Sequence, residues 1–527
     1  MKKDPTTTTK LLVTTTALLL TTLTVPTTQQ NTDRTNTKMI IELFRHGSRT
    51  PAYNTLNFSF ANILGPGNII GNGLRMMYLL GAQVRQDYPQ LFANPQNTDY
   101  HIISSNYERT INTAYAHAMG LYPPGTGLEI TGDDSNQEFR KPPYRPLDVT
   151  LDGTGALPDQ QRAIPVYVID KKIDEFFMKG IGSVCPGADK SVDDRFAKLN
   201  KNNTDLNELG KKIEATQWKC AKYFDGCEAY DLNRTGIFGD LSKCYYYYYG
   251  KPLPETETFY KNLVWGFGVF YLNYRFMDND TMKLYTTKMT EYILDEISDK
   301  IEGKSKYKYI GLSGHEANVF PYMVFYGLTS QECMVKKAYE ENPVETADCY
   351  HSPETGTNFI WEVNEVEGTW TIKTRFNGDV IVKACDNMAE DGSCTLADFR
   401  DFHTKKFILG EDEYKKVCDA PEPLTGRGKL FMWAAIVVTA LFVVQLISFL
   451  LYIRCLKQRL NPRRGVELKE DSAEERPIIT KMTETNRMAK DSREHFGGEE
   501  GTPRDDGDKH IVGGDAAEEL NAGYQKA

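Results

Sequence analysis

An α/β fold, a sheet covered by helices on both faces, is the class this sequence predicts for most of its length. Two observations carry it. Short apolar runs of strand character alternate with segments whose apolar residues recur at helical spacing. The chain is also 40% hydrophobic, with 30 Tyr, 25 Phe and 5 Trp, enough to fill a large core. Its 527 residues exceed one typical domain and fit a large core or two domains. A charged fraction of 25% is ordinary for a globular chain and excludes collagen-like or wholly disordered readings. The formal net charge of −10 argues against a general nucleic-acid binder, which needs a basic surface. It leaves room for a small basic pocket.

The elements follow in order. Met39–Leu43 (MIIEL) is a short apolar strand. Leu74, Met77, Leu80, Val84 and Tyr88 recur at helical spacing and predict a helix over Gly73–Tyr88. His101–Ser104 is a second strand and Thr110–Met119 a second amphipathic helix. Residues 150–300 are richer in charge, Lys and Cys, and read as a helical insertion rather than a continuation of the sheet. Tyr307–Leu312 is a strand and Ala317–Tyr326 a helix. Asn358–Val363, Thr369–Thr374 and Asp379–Lys383 are late β runs. No internal repeat is present, and the Tyr245–Tyr249 run suggests no mechanism.

The ends of the chain are of different character. Leu430–Ile453 holds 24 residues without a charge, about 36 Å as a helix and enough to cross a bilayer. Trp433 and Tyr452 stand near its ends, as interfacial aromatics do. Arg454, Lys457, Arg459, Arg463 and Arg464 follow it, which places the polar tail, 454–527, in the cytosol and predicts disorder for it. Lys2, Lys3 and Lys10 precede the short apolar stretch Leu11–Val25, so residues 1–30 read as a signal peptide, with an uncleaved anchor as the alternative. The expectation is a single-pass type I membrane protein whose ectodomain spans 38–422.

The cysteines agree with that topology. Nine precede the span, and Cys455 alone lies beyond it, where palmitoylation is chemically reasonable. No CxxC occurs, so disulfides in an oxidising lumen are expected rather than a zinc ribbon. An odd number leaves one thiol free or intermolecular. Sequons begin at Asn57, Asn202, Asn233 and Asn279, each a glycosylation acceptor if exposed.

One constellation carries chemistry. The strand MIIEL runs into Phe44-Arg45-His46-Gly47-Ser48-Arg49-Thr50-Pro51. Two guanidiniums and an imidazole on one tight turn suit a tetrahedral oxyanion, because each Arg fork can make paired charge-assisted hydrogen bonds. The histidine between them is placed to attack what they hold. Gly47 permits close backbone approach and Pro51 stiffens the exit.

RHGSRTP resembles the motif of the histidine acid phosphatases, within the histidine phosphatase superfamily. Gly71–Gly81 resembles the family's helix after the motif. Ser104-Ser105-Asn106-Tyr107-Glu108-Arg109-Thr110 resembles the segment that supplies a third phosphate-binding arginine, and Ser313-Gly314-His315-Glu316 the second histidine followed by an acid. The resemblance runs from about Lys38 to Cys418, and the anchor and tail are arranged as in lysosomal acid phosphatase. It implies that His46 is the nucleophile and forms a phosphohistidine. It implies that Arg45, Arg49, Arg109 and His315 bind the phosphoryl oxygens, and that Glu316 protonates the leaving alcohol and later activates water. Many relatives carry Asp where Glu316 stands; one methylene more bears on rate and substrate. The resemblance implies no cofactor and no metal, the arginines neutralising charge, and a homodimer is one assembly considered. It also implies disulfides Cys185–Cys418, Cys244–Cys349 and Cys385–Cys394, and leaves Cys220, Cys227 and Cys333 without counterparts.

Competing motifs fail. His315-Glu316 would begin HExxH, but position 319 is Val. Gly303-Lys304-Ser305 lacks the upstream Walker glycine, since position 298 is Ser. The remaining readings are a membrane-anchored acid phosphatase acting on phosphate monoesters, an inositol polyphosphate phosphatase needing further cations around the pocket, and a phosphate-binding receptor without turnover. Glu474-Glu475-Arg476-Pro477-Ile478-Ile479 resembles an acidic dileucine signal, which predicts an endosomal or lysosomal address.

Overall fold

The computed structural model describes residues 34–52, 64–130, 153–178, 184–187, 232–276, 279–418 and 426–459. The chain divides into two units, residues 422–512 forming the second. Within the first, the strands are β1 (Thr37–Arg45), β2 (Tyr100–Ser105), β3 (Val166–Ile169), β4 (Tyr309–Gly314), β5 (Asn358–Val366), β6 (Thr369–Phe376), β7 (Asp379–Val380) and β8 (Ser393–Cys394). The helices used below are α1 (Gly71–Asp87), α2 (Glu108–Leu121), α3 (Leu232–Tyr249), α4 (Tyr260–Arg275), α5 (Asn279–Ile301), α6 (Glu316–Phe325), α7 (Gln331–Tyr339), α8 (Leu396–Phe407) and α9 (Glu411–Cys418).

The sheet order is β3-β2-β4-β1-β5-β6-β7, with β8 beside β6. β3, β2, β4 and β1 are parallel, and β5 and β6 continue antiparallel. A parallel strand at the centre of such a sheet is covered on both faces, so its residues need no alternation. β1 obeys this: Met39 through Phe44 are fully buried. The one charge among these six residues, Glu42, is satisfied by hydrogen-bond donors from two strands, with an imidazole nearby. Tyr309 Oη donates at 2.9 Å and Asn358 Nδ2 at 2.7 Å, and His117 Nε2 lies 3.3 Å away. A buried carboxylate needs such company.

The sequence placed β1, β2, β4, β5, β6, α1, α2 and α6; it did not mark β3, β8, α7, α8 or α9, and β7 is shorter than the expected Asp379–Lys383. Two differences bear on the packing around the site. The buried stripe of α1 is Gly73, Met77, Gly81 and Val84, while Leu74 faces solvent. Backbone contact decides it. A Cβ at Gly81 would stand 2.1 Å from His117 O on α2, so the glycine edge faces inward and the leucine turns away. The second difference lies in 150–300. Val166–Ile169 pairs in parallel with β2 and continues the sheet, so the insertion does not begin at 150. Only four residues long and partly exposed, this edge strand leaves little apolar signal. From Leu232 the region is helical, with α4 packed on α3 and α7.

Two of the expected disulfides form, Cys185–Cys418 and Cys385–Cys394. The third does not. Cys349 bonds Cys333, and Cys244 is a buried free thiol. A turn explains it: Thr346 and Cys349 bridge backbone to backbone and fold the chain back toward α7, where Cys333 lies in the first turn. Cys220 and Cys227 lie outside the described residues. Non-reducing peptide mapping should recover a Cys333–Cys349 cross-link, with Cys244 alkylated only after denaturation. A Cys244–Cys349 peptide would contradict the assignment.

Of the sequons, Asn279 is exposed at the start of α5; Asn57 and Asn202 lie outside the described residues. In the second unit a helix, α10 (Gly426–Arg459), contains the segment Trp433–Lys457, long and apolar enough to cross a membrane, with none of it buried. Residues 1–33 and 460–527, which hold the expected leader, most of the tail and the dileucine-like segment, lie outside the described residues.

Candidate active site

Register brings the three motif segments together. Arg45 stands opposite Gly314 in the β1–β4 pairing, and Ser104 opposite Ser313 in the β2–β4 pairing. The chain leaves all three strands at the same edge, the carboxyl ends of neighbouring parallel strands, where open α/β sheets place their ligand sites. Since β4 lies between β1 and β2, His315 comes between His46 and Arg109. His46 N–H donates to Gly314 O at 3.1 Å, which ties the first segment to the second.

The turn after β1 is held by backbone. Gly47 N–H donates to Thr113 Oγ1 at 3.0 Å, and a Cβ at Gly47 would meet Gly73 O at 2.5 Å. The motif's glycine is therefore fixed by the start of α1. His46 Nδ1 lies 2.9 Å from Gly47 O. A carbonyl can only accept, so Nδ1 carries the hydrogen and the Nε2 lone pair is available for attack. Burial, and then Arg109, Arg45 and Arg49, hold the His46 imidazole well below its ordinary pKa and keep it neutral.

Each arginine is gripped by protein acceptors. Arg45 Nη2 meets Glu316 Oε2 at 3.0 Å, and its Nη1 donates to Pro353 O. Arg49 meets both oxygens of Asp240, at 2.8 and 3.1 Å. Burial works against the charged Arg49, but Asp240 outweighs it and raises the pKa. Arg109 lies 4.6 Å from the centroid of the Tyr107 ring, with Lys171 on the same ring at 4.2 Å. Burial and the repulsion of Arg49 bring Arg109 down to about 9.

His315 caps α6, its N–H donating to Asn318 Oδ1 at 2.9 Å. Its ring sits edge-on to His46, with centroids 5.6 Å apart. Arg109 Nη2, which can only donate, lies 3.4 Å from Nδ1, so Nε2 carries the hydrogen toward Ser105 Oγ at 2.7 Å. Glu316 opens α6 and is buried. Burial raises its pKa; Arg45 and Lys243 oppose this, while Asp240 and Glu354 add to it.

The fourth wall escaped the sequence reading. α3 presents Asp240, Lys243, Cys244 and Tyr247 along one face, and these line a narrow cleft with Arg45, Ser48, Arg49 and Thr355. Lys243 Nζ meets Glu354 Oε1 at 2.8 Å, and Tyr247 Oη donates to Glu354 Oε2 at 2.6 Å. Opposed by burial but held by Lys243 and His351, Glu354 lies at about 2. A spacing of i, i+3, i+4 and i+7 was the available signal, hidden by the tyrosine run around it.

Four buried polar atoms of this cluster have no hydrogen-bond partner among the described residues: Arg45 Nε, Arg109 Nε, Ser48 Oγ and Glu316 Oε1. Orphaned donors are rare in a folded interior and call for an explanation. Three of these groups can donate, around a neutral imidazole, which fits an oxyanion with many acceptor positions.

Comparison with known proteins agrees. The model of the histidine phosphatase superfamily (branch 2) matches residues 37–346, more than half of the chain and a span that contains all six motif residues. The chain belongs to this superfamily. Counting factor 60 of Dictyostelium discoideum is 24% identical over 362 residues, covering 58% of this chain and 76% of that protein. Among solved structures, Hafnia alvei phytase with myo-inositol hexakis sulphate is 13% identical, covering 73% of this chain and 99% of its own, at a TM-score of 0.46. The phytase of D. castellii is 14% identical, covering 74% and 83%, at a TM-score of 0.43. In this histidine phosphatase chain the six residues form one connected cluster: Arg45 meets Glu316, His46 faces His315 and feels all three arginines, and Arg109 meets His315, while Arg45 and Arg49 also line the cleft beside α3.

Proposed function

We propose that this chain is an acid phosphatase that hydrolyses phosphate monoesters through a phosphohistidine on His46. The observation that carries the reading is the His46 ring, neutral among three arginines with Nδ1 tied to Gly47 O and Nε2 unencumbered. In the first half-reaction Nε2 attacks phosphorus, the P–O ester bond breaks, and Glu316 gives its proton to the leaving oxygen. In the second, water attacks phosphorus and gives a proton to Glu316, and the P–N bond breaks to release orthophosphate. Arg45, Arg49 and Arg109, with His315, bear the charge of the transferring group in both.

A dianionic substrate strengthens this arrangement. It competes with Glu316 for Arg45, and its like charge pushes the Glu316 carboxyl further toward the protonated form needed for the first half-reaction. The apolar segment of α10 supports an anchored protein with the site on the lumenal or extracellular side, glycosylated at exposed sequons such as Asn279. Ile478 and Ile479 support an endosomal or lysosomal address. The test is turnover of p-nitrophenyl phosphate at acidic pH by the full-length chain in detergent. Hydrolysis that inorganic phosphate inhibits is expected. Binding of phosphate without hydrolysis would favour a receptor.

A further inference from the structure

Asp240 has no step in the chemistry above, yet it engages a phosphate-site arginine with both of its carboxylate oxygens. Its carboxylate takes Arg49 Nη2 at 2.8 Å and Nη1 at 3.1 Å, and Nη1 gives its other hydrogen to Thr50 O at 2.9 Å. A guanidinium has five N–H bonds in a rigid plane. Three are spoken for, both on Nη1 and one on Nη2. The remainder, Nε–H and the second Nη2–H, form a different edge, a parallel fork of the kind that holds a phosphoryl group. The pair is nearly enclosed, each side chain 12% exposed, so Arg49 has little freedom to present another edge.

We propose that Asp240 is a positioning residue for the phosphoryl site: it holds Arg49 by the Nη1–Nη2 edge so that the Nε–Nη2 edge meets a phosphoryl oxygen. The inference rests on the phosphatase reading for its chemistry, but it concerns phosphate binding, which is measurable without turnover. Asp240 comes from α3, 191 residues from Arg49, and stands on the cleft face of that helix beside Lys243 and Cys244. A second consequence follows from charge. Glu316 faces Arg45 and Arg49 from β1 and its turn, Lys243 and Asp240 from α3, and Glu354 from the segment before β5. Removing the Asp240 charge leaves the cations less balanced and favours ionised Glu316. The alkaline limb of the rate profile then moves to lower pH.

The experiment measures binding of inorganic phosphate to the full-length chain by calorimetry, with cooperative melting as the check on folding. Asp240→Asn should weaken phosphate about tenfold or more, the size of one lost charge-assisted contact. Asp240→Glu keeps the charge but moves the fork by one methylene, and a smaller loss is expected. In an Arg49→Ala background Asp240→Asn should change nothing further, since Asp240 acts through Arg49. Unchanged or tighter binding in Asp240→Asn would overturn the proposal, the latter marking Asp240 as a competitor for Arg49. So would an equal loss in the Arg49→Ala background. If Asp240→Asn does not fold, Asp240→Glu decides: unaltered phosphate affinity overturns the proposal. A wild-type chain that binds phosphate but hydrolyses no monoester removes the phosphatase reading and leaves this one standing.

Discussion

His46→Ala is expected to lower hydrolysis of every phosphate monoester by about 10⁴-fold or more, the scale on which covalent nucleophiles are lost. No other described side chain in the cleft can replace it. The His315 ring has Arg109 at one nitrogen and Ser105 at the other. Cys244, which also lines the cleft, is held as a thiol by burial and by Asp240, at about 12. The variant should fold and still bind inorganic phosphate, because the arginines are positioned by Pro353, Glu316, Asp240 and Tyr107 rather than by the imidazole. A steady-state assay beside a thermal melt checks both halves. Near wild-type rates in the Ala variant would remove His46 from the chemistry.

Glu316→Gln is expected to cost about 10²–10⁴-fold on alkyl phosphates, the range of general acid catalysis, and much less on p-nitrophenyl phosphate, whose leaving group needs little protonation. The pH profile follows from two shifts of known sign. His46 must be neutral, and its lowered pKa keeps it so far into acid. Glu316 must be protonated, and its raised pKa extends that state upward from the ordinary carboxylate range. The optimum therefore lies between them, on the acidic side, and activity falls as pH rises through the Glu316 pKa. Gln cannot titrate, so the alkaline limb should flatten in the variant. Equal losses on both esters, or an unchanged limb, would leave Glu316 as a helix-opening charge alone.

What the sequence disclosed was local in the chain. The turn Arg45–Pro51, the segment around Arg109 and the pair His315-Glu316 each follow a strand with a strong apolar signal, so both their place and their neighbours could be read. Parallel pairing then fixed their meeting, because one sheet edge collects what leaves adjacent strands. The partners of those residues were not legible. Asp240 reaches Arg49 across 191 residues, and Pro353 reaches Arg45 across 308. The tyrosine run in α3 hid a functional face, and Tyr247 proves to hold Glu354. The Cys244–Cys349 expectation failed for a similar reason: pairing depends on which backbone turn brings Cys333 near, and spacing does not encode that. Glu42 likewise carried no mark of the donors that let a charge sit inside a central strand.

The covalent step is tested most directly by rapid acid quench during turnover of a ³²P-labelled monoester, followed by peptide mapping of the denatured chain. A phosphohistidine is labile in acid and stable in base, so brief quenching and alkaline handling are needed. Label on the peptide containing His46, lost in His46→Ala and enriched in Glu316→Gln with an activated ester, is the predicted result. Turnover that leaves no label on that peptide, or places it elsewhere, would contradict the account.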